Sequence, residues 1–147
     1  MATCAFFGHR TCNYMPYKAR IRSVLIDLIE NHDVTQFYNG CRGDFDRLCA
    51  DVVYELKEHY PQIKQVRVLS YHPNETFGMS KHFDESVYLL EKRVPPRYAI
   101  SQTNRCLVAL VDYIVSGVIS SYGGAYTARN YAKRLNKPII EIVREGD

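Results

Sequence analysis

The stretch Thr3-Cys4-Ala5-Phe6-Phe7-Gly8-His9-Arg10 decides the reading of the fold. A short uncharged apolar run halted by a glycine reads as a strand buried on both faces. Downstream, Tyr17 to Asn31 sets Ile21, Val24, Leu25, Leu28 and Ile29 at helical spacing, so a helix follows the strand. The pattern then repeats. Gln36-Phe37-Tyr38 runs into the turn Asn39-Gly40-Cys41-Arg42-Gly43, after which Phe45, Leu48, Cys49, Val52, Val53 and Leu56 trace one helical face. Gln65 to Tyr71 predicts a third strand closed by the turn His72-Pro73-Asn74.

Between Glu75 and Tyr98 the regularity lapses, with Phe77, Phe83, Val87 and Tyr88 scattered among charges and Pro95-Pro96 closing the segment. That pattern predicts a long functional loop with some local structure. Beyond it come a helix over Ala99 to Val111, a strand over Asp112 to Ile119, a helix over Gly124 to Leu135 and a strand over Pro138 to Val143. Alternating strands and helices with right-handed crossovers build a three-layer α/β domain around a parallel sheet. For five strands the expected order is 3-2-1-4-5, which places a ligand outside the carboxyl ends between the first and fourth strands.

The composition agrees with one such domain over residues 1–147. With 46% hydrophobic and 24% charged residues, the chain can bury a core, which excludes disordered and collagen-like classes. The net charge of +3 favours an anionic ligand only weakly, and the basic residues form no dense run of the kind a dedicated nucleic-acid binder carries. Nucleic acid is therefore not an expected partner. The longest nearly apolar stretch, Cys106 to Ile119, contains Asp112 and is shorter than the roughly 20 residues of a membrane span. The first residues lack the basic and apolar regions of a signal peptide, so a cytoplasmic location without membrane attachment is expected. Cys4, Cys12, Cys41, Cys49 and Cys106 include no CxxC pair, and Cys4, Cys49 and Cys106 sit in apolar patterns that predict buried thiols. Cys12, Cys41 and His9 could converge, but their spacing matches no zinc-ligand pattern, so neither metal nor cofactor is expected.

Three glycine-containing turns fall just after strand ends: Gly8-His9-Arg10, Gly40 with Gly43, and Gly123-Gly124. In a doubly wound sheet they meet at one edge, where helix N-termini attract phosphate or carboxylate. Ser120, Ser121 and Thr127 offer hydroxyls around the third turn, beside Tyr122 and Tyr126. His9 and Arg10 are expected to act as a donor pair, Arg10 being suited to bidentate anion contacts. Asp44 and Asp46 would repel phosphate, so the second turn is expected to hold a ribose hydroxyl or a base edge, or else Asp44 caps its helix.

The same residues carry a resemblance. Cys4 to Arg10, the run Gly40-Cys41-Arg42-Gly43-Asp44-Phe45-Asp46, Val94 to Ile100 with Asn104-Arg105, and Tyr122-Gly123-Gly124-Ala125 with Tyr131-Ala132-Lys133 resemble the YpsA-like branch of the SLOG superfamily, in order along nearly the whole chain. The resemblance implies a Rossmann-like domain that binds nucleotides or nucleotide-derived ligands at its glycine loops. Enzymes of the related LOG group cleave nucleoside monophosphates with a glutamate in the pattern PGGxGTxxE and an upstream arginine. Here Gly123, Gly124 and Thr127 match that pattern, Tyr126 replaces its third glycine and Asn130 its glutamate, while the arginine position falls on Thr103 with Arg105 nearby. Asparagine cannot act as a base or stabilise a cationic sugar as a carboxylate does.

The expected function is therefore binding or sensing of a nucleotide-derived small molecule, with the oligomeric state left open. The alternatives are a LOG-like N-glycosidic hydrolase that recruits Asp44, Asp46 or Glu85, and single-strand DNA binding of the DprA kind.

Overall fold

Side chains alternate along the first strand, and that alternation serves two cores at once. Cys4 and Phe6 join the apolar cluster on one face of the sheet, and Ala5 and Phe7 join the cluster on the other. The computed structural model describes residues 1–71 and 81–144. Along them run β1 (Ala2–Gly8), a 3-10 turn (Met15–Tyr17), α1 (Lys18–Asn31), β2 (Val34–Asn39), α2 (Asp44–Leu56), β3 (Lys64–Leu69), β4 (Glu85–Tyr88), α3 (Pro96–Leu110), β5 (Tyr113–Gly117), α4 (Gly124–Arg134) and β6 (Ile139–Glu141). Every pairing is parallel, in the order β4-β3-β2-β1-β5-β6. The apolar faces of α1 and α2 cover one side of the sheet, those of α3 and α4 the other. The architecture is the three-layer α/β fold expected, with its switch point between β1 and β5.

The sheet has one strand more than expected. The five anticipated strands keep their mutual order, and β4 adds itself beyond β3 from within the segment read as a loop. Its four residues are exposed or half-buried, so no apolar alternation marks it. Asp84 holds it instead. The Asp84 carboxylate accepts the Gln65 N–H at 2.8 Å, its own N–H donates to the Gln65 carbonyl at 2.9 Å, and its charge pairs with Lys57. The turn His72-Pro73-Asn74 and the loop residue Phe77 lie outside the described residues. Helix α3 starts at Pro96, ahead of the predicted Ala99, because proline is well suited to a first helical position. Cys4 and Cys49 are buried as expected, but Cys106 is exposed, since the inward stripe of α3 is Ala99, Thr103, Leu107 and Val108. Among the described residues Cys12, Cys41 and His9 gather into no metal-binding group, and no described helix is long and apolar enough to cross a membrane.

A glycine pair shapes the sheet edge that bears the switch point. Gly8 and Gly117 face each other across β1 and β5, and the fully buried ring of Phe45, at the start of α2, lies over both. A methyl group on Gly8 would overlap the Phe45 side chain, and one on Gly117 would come within 2.5 Å of its ring. Tyr14 meets that ring edge-on at 4.8 Å; its hydroxyl accepts the His9 N–H at 3.1 Å and donates to the Gly117 carbonyl at 2.6 Å. His9 Nε2 in turn accepts the N–H groups of Ile119 (2.8 Å) and Ser120 (3.0 Å). The loops after β1 and β5 are thereby fastened together.

Two outcomes follow from these contacts. Gly8→Ala lowers the stability measured by urea denaturation by about 1–3 kcal/mol, the usual cost of overpacking, and Phe45→Leu in the same chain recovers part of the loss. His9 must be neutral at Nε2 to accept both N–H groups, and burial lowers its pKa from the ordinary value. An unfolded His9 takes up a proton below about pH 6.5 while the folded one resists, so its contribution to stability is present above that pH and shrinks as pH falls. His9→Gln keeps an acceptor without a titration, and the stability difference between parent and variant will be larger at pH 7.5 than at pH 5.5.

Candidate ligand site

At the carboxyl ends of β1 and β5 lies a cavity of about 400 Å³. Gly8 and His9 line its base, Arg10 its exposed rim, Gly40, Arg42 and Asp46 one flank, and Tyr122 to Ala125 the other. Ile100, Asn104 and Leu107 of α3 close over it. The anticipated first and third glycine turns and the leading part of the second do converge there.

The third turn is the most open. Gly123 has φ +98°, in the region that favours glycine, and a methyl group on either Gly123 or Gly124 would meet nothing within 4 Å. The Gly123 carbonyl receives the Thr127 N–H and the Thr127 hydroxyl, both at 3.0 Å, which starts α4. A helix so begun leaves its first N–H groups without intrahelical acceptors, and they carry the positive end of the helix dipole. No acidic side chain stands in its first turn to neutralise that end.

The second turn is built around Asn39. Its buried amide donates to the Asp46 carbonyl at 2.8 Å and accepts the Cys41 N–H at 2.7 Å, holding Cys41 at φ +56°. This geometry turns Arg42 and Asp46 into the cavity. Asp46 Oδ2 accepts the Arg42 backbone N–H at 3.1 Å, and Arg42 Nη1 donates to Asn104 Oδ1 at 3.4 Å. Burial pushes the Asp46 carboxyl up to about 6, against the pull of the Arg42 N–H and charge. Asp46 Oδ1 and Arg42 Nη2 are buried without a hydrogen-bond partner among the described residues, a state that costs about 1–3 kcal/mol for each such polar atom and more when it is charged.

Several expected residues take other roles. His9 is an acceptor for the β5 loop rather than half of a donor pair. Gly43 sits against the backbone of Arg10, whose carbonyl accepts the Asp44 N–H at 2.8 Å, so its lack of a side chain serves loop packing. Asp44 neither caps its helix nor lines the cavity: its carboxylate accepts the Cys12 N–H at 3.0 Å. Ser120, Ser121 and Thr127 stand outside the lining, and Arg105 stacks on the Tyr131 ring at 4.7 Å. Thr103 is buried, Asn130 is not among the lining residues, and Glu85 lies at the amino end of β4, the opposite end from the cavity. Arg42, Asn104, Ile100, Leu107 and Val68 line the cavity without having been singled out as site residues. Arg42, Ile100 and Asn104 had a signal to find, since all three lie in the blocks that carry the SLOG resemblance.

No protein-family profile matches the chain, and no curated protein sequence matches it. Solved structures do resemble it. The DNA processing protein A (DprA) of Streptococcus pneumoniae superposes with a TM-score of 0.71 at 11% identity, over 96% of this chain and 50% of that one, so the chain spans half the length of that protein. DprA from Helicobacter pylori, described for its single-stranded DNA binding mode, gives 0.70 at 15% identity over 99% of this chain and 67% of its own. The Moco carrier protein of Chlamydomonas reinhardtii gives 0.57 at 13% identity over 95% of this chain and 75% of its own. At such identities the likeness establishes the fold: this chain has the Rossmann-like architecture found in the DprA proteins.

Proposed function

We propose that this chain is a single-domain, cytoplasmic binding protein for a nucleotide-derived small molecule, of the YpsA-like kind that its four sequence blocks resemble. The observation that carries the reading is the unobstructed start of α4 at Gly123-Gly124, opening on the switch-point cavity across from the unpartnered atoms Arg42 Nη2 and Asp46 Oδ1. Phosphate would sit on the free N–H groups of α4, with Arg10 reaching over it from the exposed rim. Binding is favoured over glycoside cleavage because Asn130 stands at the position of the LOG glutamate and outside the lining. Asp46 is the one carboxylate among the described lining residues. A hydrolase here would have to use it, and not Asp44 or Glu85.

One feature of the surface supports a second reading, single-strand DNA binding. The cavity continues past Arg10, Gly40 and Arg42 into a neighbouring one of about 270 Å³ that reaches Arg67 and Tyr71. Tyr71 also borders a third of about 710 Å³, beside Tyr88, Lys92 and Arg93. Basic and aromatic side chains that are dispersed in sequence thus share one edge of the sheet, a combination that single strands use. The low expectation for nucleic acid, drawn from the absence of a basic run, is not supported.

Gly124→Val is the direct test of the small-molecule reading, since Gly124 lines the cavity and a Cβ there has no protein neighbour within 4 Å. Calorimetric titration with nucleoside monophosphates shows at least a tenfold loss, while thermal unfolding changes by less than about 1 kcal/mol. Arg10→Ala costs about 1.5–3 kcal/mol of affinity, the scale of a hydrogen bond to a charged group, and leaves the fold intact because the protein uses the Arg10 backbone. Unchanged affinity in both variants places the phosphate elsewhere. For the DNA reading, fluorescence anisotropy with a labelled oligothymidylate shows binding that weakens steeply with salt and falls in Lys92→Ala/Arg93→Ala; no binding at 50 mM salt rejects it.

A further inference from the structure

The cavity is asymmetric in its chemistry. At the α4 flank it offers backbone N–H groups, but at the β2 flank it offers one charged donor and one charged acceptor, Arg42 Nη2 and Asp46 Oδ1, both buried and unpartnered. The other atoms of these groups are engaged: Oδ2 holds the Arg42 N–H, and Nη1 holds Asn104. Both groups border the space above Gly40, where an added methyl group would lie 3.6 Å from Asp46 Oδ2 and 3.7 Å from the guanidinium carbon of Arg42. The two side chains therefore stand close together on the cavity lining, near enough to face one ring edge. The adjoining surfaces are the apolar side chains of Val68, Ile100 and Leu107, which suit a flat ring better than a hydroxyl-rich sugar.

We infer that this flank recognises the lactam edge of a nucleobase, a ring N–H next to a C=O, as in guanine, hypoxanthine or uracil. The ring N–H donates to Asp46 Oδ1 and the carbonyl accepts from Arg42 Nη2. The inference rests on the nucleotide-binding reading and adds the class of base. An adenine or cytosine edge also pairs a donor with an acceptor, but its donor is an exocyclic amine and its acceptor a ring nitrogen. The lactam N–H is the more acidic donor and the carbonyl oxygen the better partner for a guanidinium, so charged groups gain more from the lactam. Asparagine and glutamine are the usual readers of adenine, and the one amide among the described lining residues, Asn104, already has its oxygen on Arg42.

The test is calorimetric titration at pH 8, where the Asp46 carboxyl is ionised, with GMP, IMP and AMP, with UMP and CMP, and with ribose 5-phosphate. The parent protein should prefer GMP and IMP over AMP, or UMP over CMP, by about tenfold or more. The two ring sizes decide whether purine or pyrimidine supplies the lactam. Asp46→Asn, which keeps the size and an acceptor for the Arg42 N–H, should bring that preference to within about threefold and leave ribose 5-phosphate affinity unchanged. A merely structural role for Asp46 would weaken every ligand alike, and that result overturns the inference. Should Asp46→Asn fail to fold, Arg42→Gln tests the carbonyl half by the same preference. If ribose 5-phosphate binds and neither base pair shows a preference, base recognition falls while the phosphate site stands; if nothing binds, both fall.

Discussion

Two glycines opposite each other on adjacent parallel strands leave a gap over the carboxyl edge of the sheet, and Phe45 fills it. The phenyl ring is rooted in the first turn of α2, so seating it fixes where that helix begins and how the preceding turn lies against β1. Tyr14 locks the arrangement with one hydroxyl shared between the β1 loop and the end of β5. Because closely packed interiors deform little, the loops that meet at this wedge have little freedom to drift apart. The cavity exists because they are held at a set distance around it.

That scaffold allows costly polar groups to be kept in place. Asp46 is held through its carboxylate, which accepts the Arg42 N–H, and through its own carbonyl, which accepts the Asn39 amide, while Arg42 donates to Asn104 on a helix from the opposite layer. The two charges attract each other, yet Asp46 Oδ1 and Arg42 Nη2 have no hydrogen-bond partner among the described residues, so each group retains bonding capacity. Across from them, α4 begins with glycines and without an acidic first turn, which keeps the positive end of its dipole available. The two flanks therefore present different chemistry to the two ends of one ligand. The edge beyond them, with Arg67, Lys92 and Arg93, extends the same positive character along the carboxyl side of the sheet.

Much of this was legible in the chain itself. Strong apolar periodicities announced α1, α2 and the strands of both cores, and glycines after strands marked the edge where a ligand binds in such sheets. β4 was hidden because an edge strand has a single neighbour and needs no apolar alternation; hydrogen bonds between Gln65 and Asp84 place it. Cys106 misled because an apolar neighbourhood in sequence does not say which side of a helix faces inward.

The sequence by itself determined the layer architecture, the mutual order of five strands and the meeting of the glycine turns, since these rest on local periodicity and chain-crossing rules. Only the tertiary structure decided what each polar residue does there. His9 became an acceptor and Asp44 a loop tie because their partners lie 110 or 111 and 32 residues away. Arg42 faces Asn104 across 62 residues of sequence, a contact that no local pattern encodes. Hydrogen bonds are short-ranged and directional, so which of several candidate side chains is spent on the fold and which is left for a ligand is settled when the layers close.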